Sequence, residues 1–206
     1  MQGVSALFKI IAAIKRVKRD AWKRRGHWHV PESESVADHS FGGALSLGLV
    51  LYTLKIPGID LFKVVLMFLI HDLIEDKVTD INIYKERNLK KRARLIRKKK
   101  RLERERIEQT RIELGPVMGE LVYQLWLEYD AGTTPEAKLA KEFDKLEVLM
   151  QALAYCEEGN TVNIWEFWGN VWPRIHTPEI REWIRTEICP RILAVGLTPP
   201  PEGFPT

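Results

Sequence analysis

Leu61-Phe62-Lys63-Val64-Val65-Leu66-Met67-Phe68-Leu69-Ile70-His71-Asp72 carries a single charge, Lys63, in its first ten residues, and then an imidazole and a carboxylate side by side. A run this apolar reads as a core helix buried on most sides. A histidine and an aspartate buried at its end are costly unless each is paired or both face a cation. A metal ion is the economical solution, and it directs the search toward further ligands on other helices.

Two candidates stand out. His39 lies upstream in Asp38-His39-Ser40, at the opening of a helix in which Leu45, Leu49 and Tyr52 recur at helical spacing. Asp144 lies downstream among Ala140, Phe143, Leu146, Val148, Leu149, Met150 and Leu153, which cover much of a third helix. Each residue taken alone has a plainer reading. A buried histidine is commonly a hydrogen-bonded core residue, and an HD dipeptide occurs by chance in many chains. Asp144 could pair with Lys141 or Lys145, and His39 could be an ordinary first-turn residue. Their joint occurrence on three apolar-faced helices is what favours one shared cation.

The rest of the chain supports an all-α reading. Val4, Leu7, Ile10, Ile11, Ile14 and Val17 make a helical stripe over 4–18, followed by a polar loop from Arg19 to Ser35. Pro57-Gly58 marks a turn. Asp60 is an N-cap for a helix extending to Glu75, and the pattern breaks over 76–82. Gly115-Pro116 precedes a periodic helix over 117–129. Thr133-Thr134-Pro135-Glu136 combines a hydroxyl cap, a first-turn proline and an early acid, and so starts a helix reaching Cys156. Trp165, Trp168 and Trp172 recur near helical spacing, which suits a core or a subunit interface better than base stacking. Ile180–Ile188 reads as a last short helix. No strand-like alternation or internal repeat stands out. The expected organisation is a single helical domain over 1–196 with a proline-rich tail over 197–206.

The 206 residues and 45% hydrophobic content suffice for one sizeable core. No apolar run reaches the roughly 18 residues of a membrane span. The first apolar segment lacks a preceding basic residue and is interrupted by Lys9, so an amphipathic helix is expected there rather than a signal peptide. Cys156 and Cys189 are too few for a disulfide framework, and a cytoplasmic setting follows as the default.

The net charge of +4 is local in origin: residues 85–111 hold fourteen Lys or Arg against four Glu, and the remainder is net acidic. The segment 85–113 lacks Gly and Pro and predicts a long, mostly exposed helix. Such a helix can attract polyanions, including nucleic acid. It carries no interleaved aromatic residue beyond Tyr84 at its edge, so base stacking is not expected, and a solvated or dimer-contacting helix is the favoured reading.

Two imidazoles and two carboxylates suit Mn²⁺, Co²⁺, Fe²⁺ or Zn²⁺, and a six-coordinate ion would keep two positions for water and substrate. His71 and Asp72 point about 100° apart on a helix, so they share an ion only off its end. Glu75, one turn beyond His71, is placed for acid or base work, with Asp80 a second carboxylate nearby. Hydrolysis fits this set better than storage or transport.

The words around these residues are more specific. Glu34-Ser35-Val36-Ala37-Asp38-His39-Ser40, His71-Asp72-Leu73-Ile74-Glu75, Thr79-Asp80 and the stretch from Phe143-Asp144-Lys145-Leu146-Glu147 to Tyr155 resemble the HD-domain metal-dependent phosphohydrolases, in particular the 5'-deoxynucleotidase group. Leu125-Trp126-Leu127-Glu128-Tyr129 also fits. The resemblance implies an all-α fold, commonly a homodimer, with one divalent ion held by His39, His71, Asp72 and Asp144. It implies Mn²⁺ or Co²⁺ as the supporting metal (Ni²⁺ is also compatible) and a nucleoside monophosphate as substrate. It further implies that Arg19, or the nearby Arg16, holds phosphate, that Trp22 lies by the sugar, and that Glu75 and Asp80 are the catalytic and substrate-contacting acids. The loop between Trp22 and His39 is longer than the family's, and the basic segment 85–111 is not carried over from it. The same ligands would serve a cyclic nucleotide, a triphosphate or an alarmone, so those substrates remain open at this point.

Overall fold

The structure, a computed structural model, describes residues 2–19, 22, 30–76, 88–196 and 200–205. Asp80, Thr79 and Tyr84 lie outside the described residues.

Helix α1 (Gln2–Ile14) stops short of the expected Lys18. The chain instead straightens over 17–19 and runs antiparallel to 34–36: Val36 N–H donates to the Val17 carbonyl at 2.8 Å and Arg19 N–H to that of Glu34 at 3.1 Å. That bridge brings Arg19 to the start of α2 (Val36–Leu54). α2 opens two residues before Asp38 because Ser35 and Asp38 form a reciprocal capping box. Such a cap contributes about 1 kcal/mol and fixes the register of His39 one turn into the helix.

Asp60 caps α3 (Leu61–Ile70) by accepting from Lys63 N–H, as its sequence position predicts. The expected continuation to Glu75 does not occur. α3 ends at Ile70, His71 and Asp72 form a turn, and Leu73–Asp76 makes a single 3-10 turn. The reason is local: the Phe68 carbonyl, which a continuing helix would give to the amide of residue 72, accepts from His71 Nδ1 at 2.6 Å.

The basic helix α4 (Leu89–Leu114) is capped by Asn88, and its buried positions, Arg106, Ile107, Thr110 and Leu114, all lie in its second half. α5 (Met118–Ala131) and α6 (Pro135–Glu157) follow, the latter capped by Thr134 with Pro135 in the first turn. α7 is Ile164–Val171 and α8 is Pro178–Trp183. The expected last helix is longer than Ile180–Ile188. It passes through a wide π turn, Ile184–Ile188, into α9 (Cys189–Val195). Pro190 has no N–H to return one turn, which accounts for the widened winding before it.

The core lies where α2, α3 and α6 meet, around fully buried Leu47, Met67, Phe68, Phe143, Leu146 and Leu149. α2 and α3 approach so closely at Gly43 that a Cβ there would lie 2.2 Å from the Phe68 ring. The tryptophans belong to this core. Trp168 stacks on Trp172 at 4.8 Å, and Phe204 of the tail packs on Trp168 and Trp165 at 4.6 and 5.3 Å.

Candidate metal centre

Three helices deliver the four candidate ligands to one point. His39 comes from the first turn and a half of α2, His71 and Asp72 from the turn that ends α3, and Asp144 from the middle of α6. His71 Nε2 lies 3.1 Å from Asp72 Oδ2 and 3.8 Å from Asp144 Oδ1. His39 Nε2 lies 3.4 Å from Asp144 Oδ1 and 3.8 Å from Asp72 Oδ2. The ligand atoms of His39, His71 and Asp72 fall within 4.8 Å of one another.

The outer nitrogens decide the chemistry of the inner ones. His71 Nδ1 meets a carbonyl oxygen, which can only accept, so that nitrogen carries the hydrogen. His39 Nδ1 makes a short contact with Glu147 Oε2, another acceptor. In the neutral rings both Nε2 atoms therefore present lone pairs to the Asp72 and Asp144 carboxylates. Both are buried, and neither forms an aligned hydrogen bond among the described residues. Lone pair facing lone pair in a dry site requires a positive charge between them. A divalent cation fits that requirement, and the Nδ1 acceptors are the outer partners that orient such ligands.

Without a cation, protons must serve. Burial disfavours charge on His71, but Asp72 and Asp144 outweigh it and raise its pKa to about 10. His39 is raised in the same way by Asp144 and Glu147 against its burial. Asp72 and Asp144 are buried too, which alone would raise them. The histidines, with Arg19 for Asp72 and Lys145 for Asp144, hold both well below the usual carboxylate range.

The remaining expected residues fall as follows. Arg19 reaches Asp72 Oδ2 with Nη1 at 3.2 Å and Glu34 Oε1 with Nε at 3.7 Å, whereas Arg16 is exposed. Burial opposes its charge, yet Asp72, Asp144, Glu34 and Glu75 raise the guanidinium above its ordinary value. Glu75 is half-buried on the 3-10 turn, within the field of Arg19, and not on a continuous α-helical face with His71. Trp22 is 3% exposed, stacked at 5.2 Å on Phe167 and edge-on to Tyr155. Its indole N–H donates to Glu34 Oε1 at 2.9 Å.

Several residues here carried no role in the sequence reading, which named Lys145 only as an alternative partner for Asp144. Glu147 is one helical turn after Asp144, on the same face of an otherwise apolar stretch, and that buried charge was the available signal. Glu34 sits behind His39 and Glu147; burial first, then the Glu147 charge, push its carboxyl up to about 7. Tyr129 donates to Asp144 Oδ2 at 3.2 Å, and Lys145 reaches the same oxygen at 2.6 Å. Beyond them opens a cleft of about 480 Å³ lined by Lys138, Lys141, Glu142, Arg174 and His176 as well. Lys138, Lys141 and Lys145 do share one face of α6 at helical spacing, but Tyr129 of α5 and Arg174 and His176 after α7 join them only through the fold.

An all-α protein that turns two imidazoles and two carboxylates onto one buried point, with cationic side chains at its mouth, is of the class that holds a divalent metal ion. The chain belongs to the HD-domain family: a sequence model of the HD domain matches residues 11–177. It is 30% identical to 5'-deoxynucleotidase HDDC2 of Danio rerio, covering 87% of this chain and 84% of that one. It is 30% identical to 5'-deoxynucleotidase HDDC2 of Dictyostelium discoideum, covering 86% and 93%. Among solved structures, a conserved hypothetical protein of Pyrococcus furiosus superposes with a TM-score of 0.62 at 30% identity, covering 88% of this chain and 96% of that chain.

Proposed function

We propose that this chain is a metal-dependent phosphomonoester hydrolase that releases phosphate from deoxyribonucleoside 5'-monophosphates, with one cation held by His39, His71, Asp72 and Asp144. The observation that carries the reading is the pair of buried Nε2 lone pairs converging on two carboxylates. The 5'-deoxynucleotidases among its relatives supply the substrate class. A divalent ion there (Mn²⁺ or Co²⁺ first, Fe²⁺, Zn²⁺ or Ni²⁺ next) would offset phosphate charge and make water more acidic.

The chain's own groups do the rest. Arg19, already at the edge of the ligand set, contacts a non-bridging phosphate oxygen. Glu75 orients a water molecule and takes its proton as the water oxygen bonds to phosphorus. The ester P–O bond breaks, the departing 5'-oxygen gains a proton, and inorganic phosphate and the nucleoside leave. Asp80 accepts from a sugar hydroxyl. Trp22, packed as it is, bears on the site through Glu34 and Arg19. Among the described residues no helix is long and apolar enough to cross a membrane. Cys156 and Cys189 are free thiols, and we place the protein in the cytoplasm.

The test is phosphate release from dAMP, dGMP, TMP, dCMP and dUMP by metal-stripped protein resupplied with Mn²⁺ or Co²⁺. Glu75→Gln is expected to lower kcat by about 10²–10⁴-fold while metal content, measured by elemental analysis, stays unchanged. Full activity in that variant removes Glu75 from the mechanism. Inactivity of the wild type on every monophosphate overturns the substrate class.

A further inference from the structure

Among the described residues the fully buried positions of α4 all lie in its second half, and most of its first half is exposed. Lys90, Lys91, Arg92, Arg94, Arg97 and Lys98 are exposed and form no ion pair among the described residues. At 100° per residue all of these but Arg92 fall within about 120° of one another, a positive stripe along one side of the helix. Further along, Lys99 and Arg101 are paired within the helix to Glu103 and Glu105. Arg104 crosses to Asp130 of α5 at 3.1 Å. Asp130 adjoins Tyr129, whose hydroxyl is on Asp144. In the cleft, Lys141 lies over the Tyr129 ring at 4.5 Å. The Arg104–Asp130 pair thus joins the basic helix to the end of α5 that carries Tyr129 into the cleft beside Asp144.

We propose that this surface is a binding track for a single-stranded oligonucleotide whose terminal phosphate enters the lysine cleft next to the metal centre. The proposal rests on the hydrolase reading above and widens its substrate from free nucleotides to phosphorylated strand ends. From Lys90 to Arg104 the helix spans about 21 Å, room for several backbone phosphates. Recognition is by phosphate contact, since the exposed half carries no aromatic side chain. A membrane surface fits less well. The exposed large apolar side chains of this half, Leu89 and Ile96 among the described residues, make a narrow stripe with Lys100 on the same side, where an interfacial helix needs one broad apolar face. Chemically the step is unchanged: water attacks the terminal phosphorus, the P–O bond to the strand breaks, and the strand keeps a hydroxyl.

The experiment compares phosphate release from dAMP and from a short 5'-phosphorylated oligodeoxynucleotide, using the full Mn²⁺-loaded chain. For about four phosphate contacts, strand affinity is expected to fall roughly 50-fold between about 50 and about 200 mM salt, with dAMP turnover changing little. Arg94→Glu/Arg97→Glu/Lys98→Glu should raise KM for the strand by about tenfold or more and leave dAMP turnover intact, which also reports that the variant is folded. The charge-preserving variant Arg94→Lys/Arg97→Lys/Lys98→Arg should behave as wild type. Turnover of dAMP without turnover of the strand overturns the track and leaves the mononucleotidase reading standing. Turnover of the strand alone does the reverse. An unchanged strand KM in the triple Glu variant, or tighter binding to phosphatidylserine vesicles than to the strand, also overturns it.

Discussion

Arg106 and Asp76 meet in a two-pronged ion pair, Nε to Oδ1 at 3.0 Å and Nη2 to Oδ2 at 2.9 Å, with both side chains almost wholly buried. Nη1 of the same guanidinium bonds Glu113 at 3.2 Å. The basic helix is thus bolted to the 3-10 turn that carries Glu75 and follows the HD pair. Arg106→Ala would strand the Asp76 carboxylate in the interior. The expected loss is about 3 kcal/mol, read as a lower midpoint in urea. Arg106→Lys should recover only part of it, because an ammonium cannot match two oxygens at once.

Glu147 controls which nitrogen of His39 faces the carboxylates. Glu147→Gln keeps the shape but can present an amide N–H, or a weaker acceptor, to Nδ1. Metal affinity should fall about 10–100-fold, measured by titrating the metal-free variant calorimetrically. Unchanged affinity would detach Glu147 from the site.

Protons and metal compete for the same nitrogens. The folded, metal-free His71 value of about 10 exceeds its ordinary 6.5. The metal-free fold therefore gains fully from the His71 proton below pH 6.5 and loses that gain as pH rises toward 10. A bound cation replaces the proton. The gap in Tm between Mn²⁺-loaded and metal-stripped protein should widen steadily across that window, and metal binding near neutral pH should release protons. A gap independent of pH would contradict the assignment of these imidazoles.

Phe41, Leu45, Leu49 and Tyr52 recur along one exposed face of α2, and Phe62 of α3 is 77% exposed. Side chains of this size in a row suit the homodimer that the family resemblance implies. Leu45→Asp/Leu49→Asp should shift the sedimenting species from dimer to monomer. A wild type that sediments as a monomer at micromolar concentration would end that reading.

How much of this was readable beforehand depends on whether neighbours in the chain or neighbours in space set a residue's role. The caps at Asp60 and Thr134, the apolar run before His71 and the stripe around Asp144 obey local rules, and their helices appear where those rules place them. The end of α3 did not follow, because an imidazole captured a backbone acceptor, which no propensity expresses. The shortened α1 reflects pairing between 17–19 and 34–36, a contact between segments far apart in sequence. Glu34, Tyr129 and the cleft lysines matter only once α1, α5 and α6 are assembled around α2. Arg106 looked like one more charge on a solvated helix, and only the fold reveals its burial.

One hydrogen bond, from His71 Nδ1 to the Phe68 carbonyl, performs two tasks at once. It halts the winding of α3, and it dictates which ring nitrogen carries hydrogen. Shape and reactivity at this corner are therefore inherited together. A replacement side chain that returned the carbonyl to ordinary winding would lengthen α3, swing residue 72 around the barrel of the helix, and dismantle the corner even with every other ligand intact.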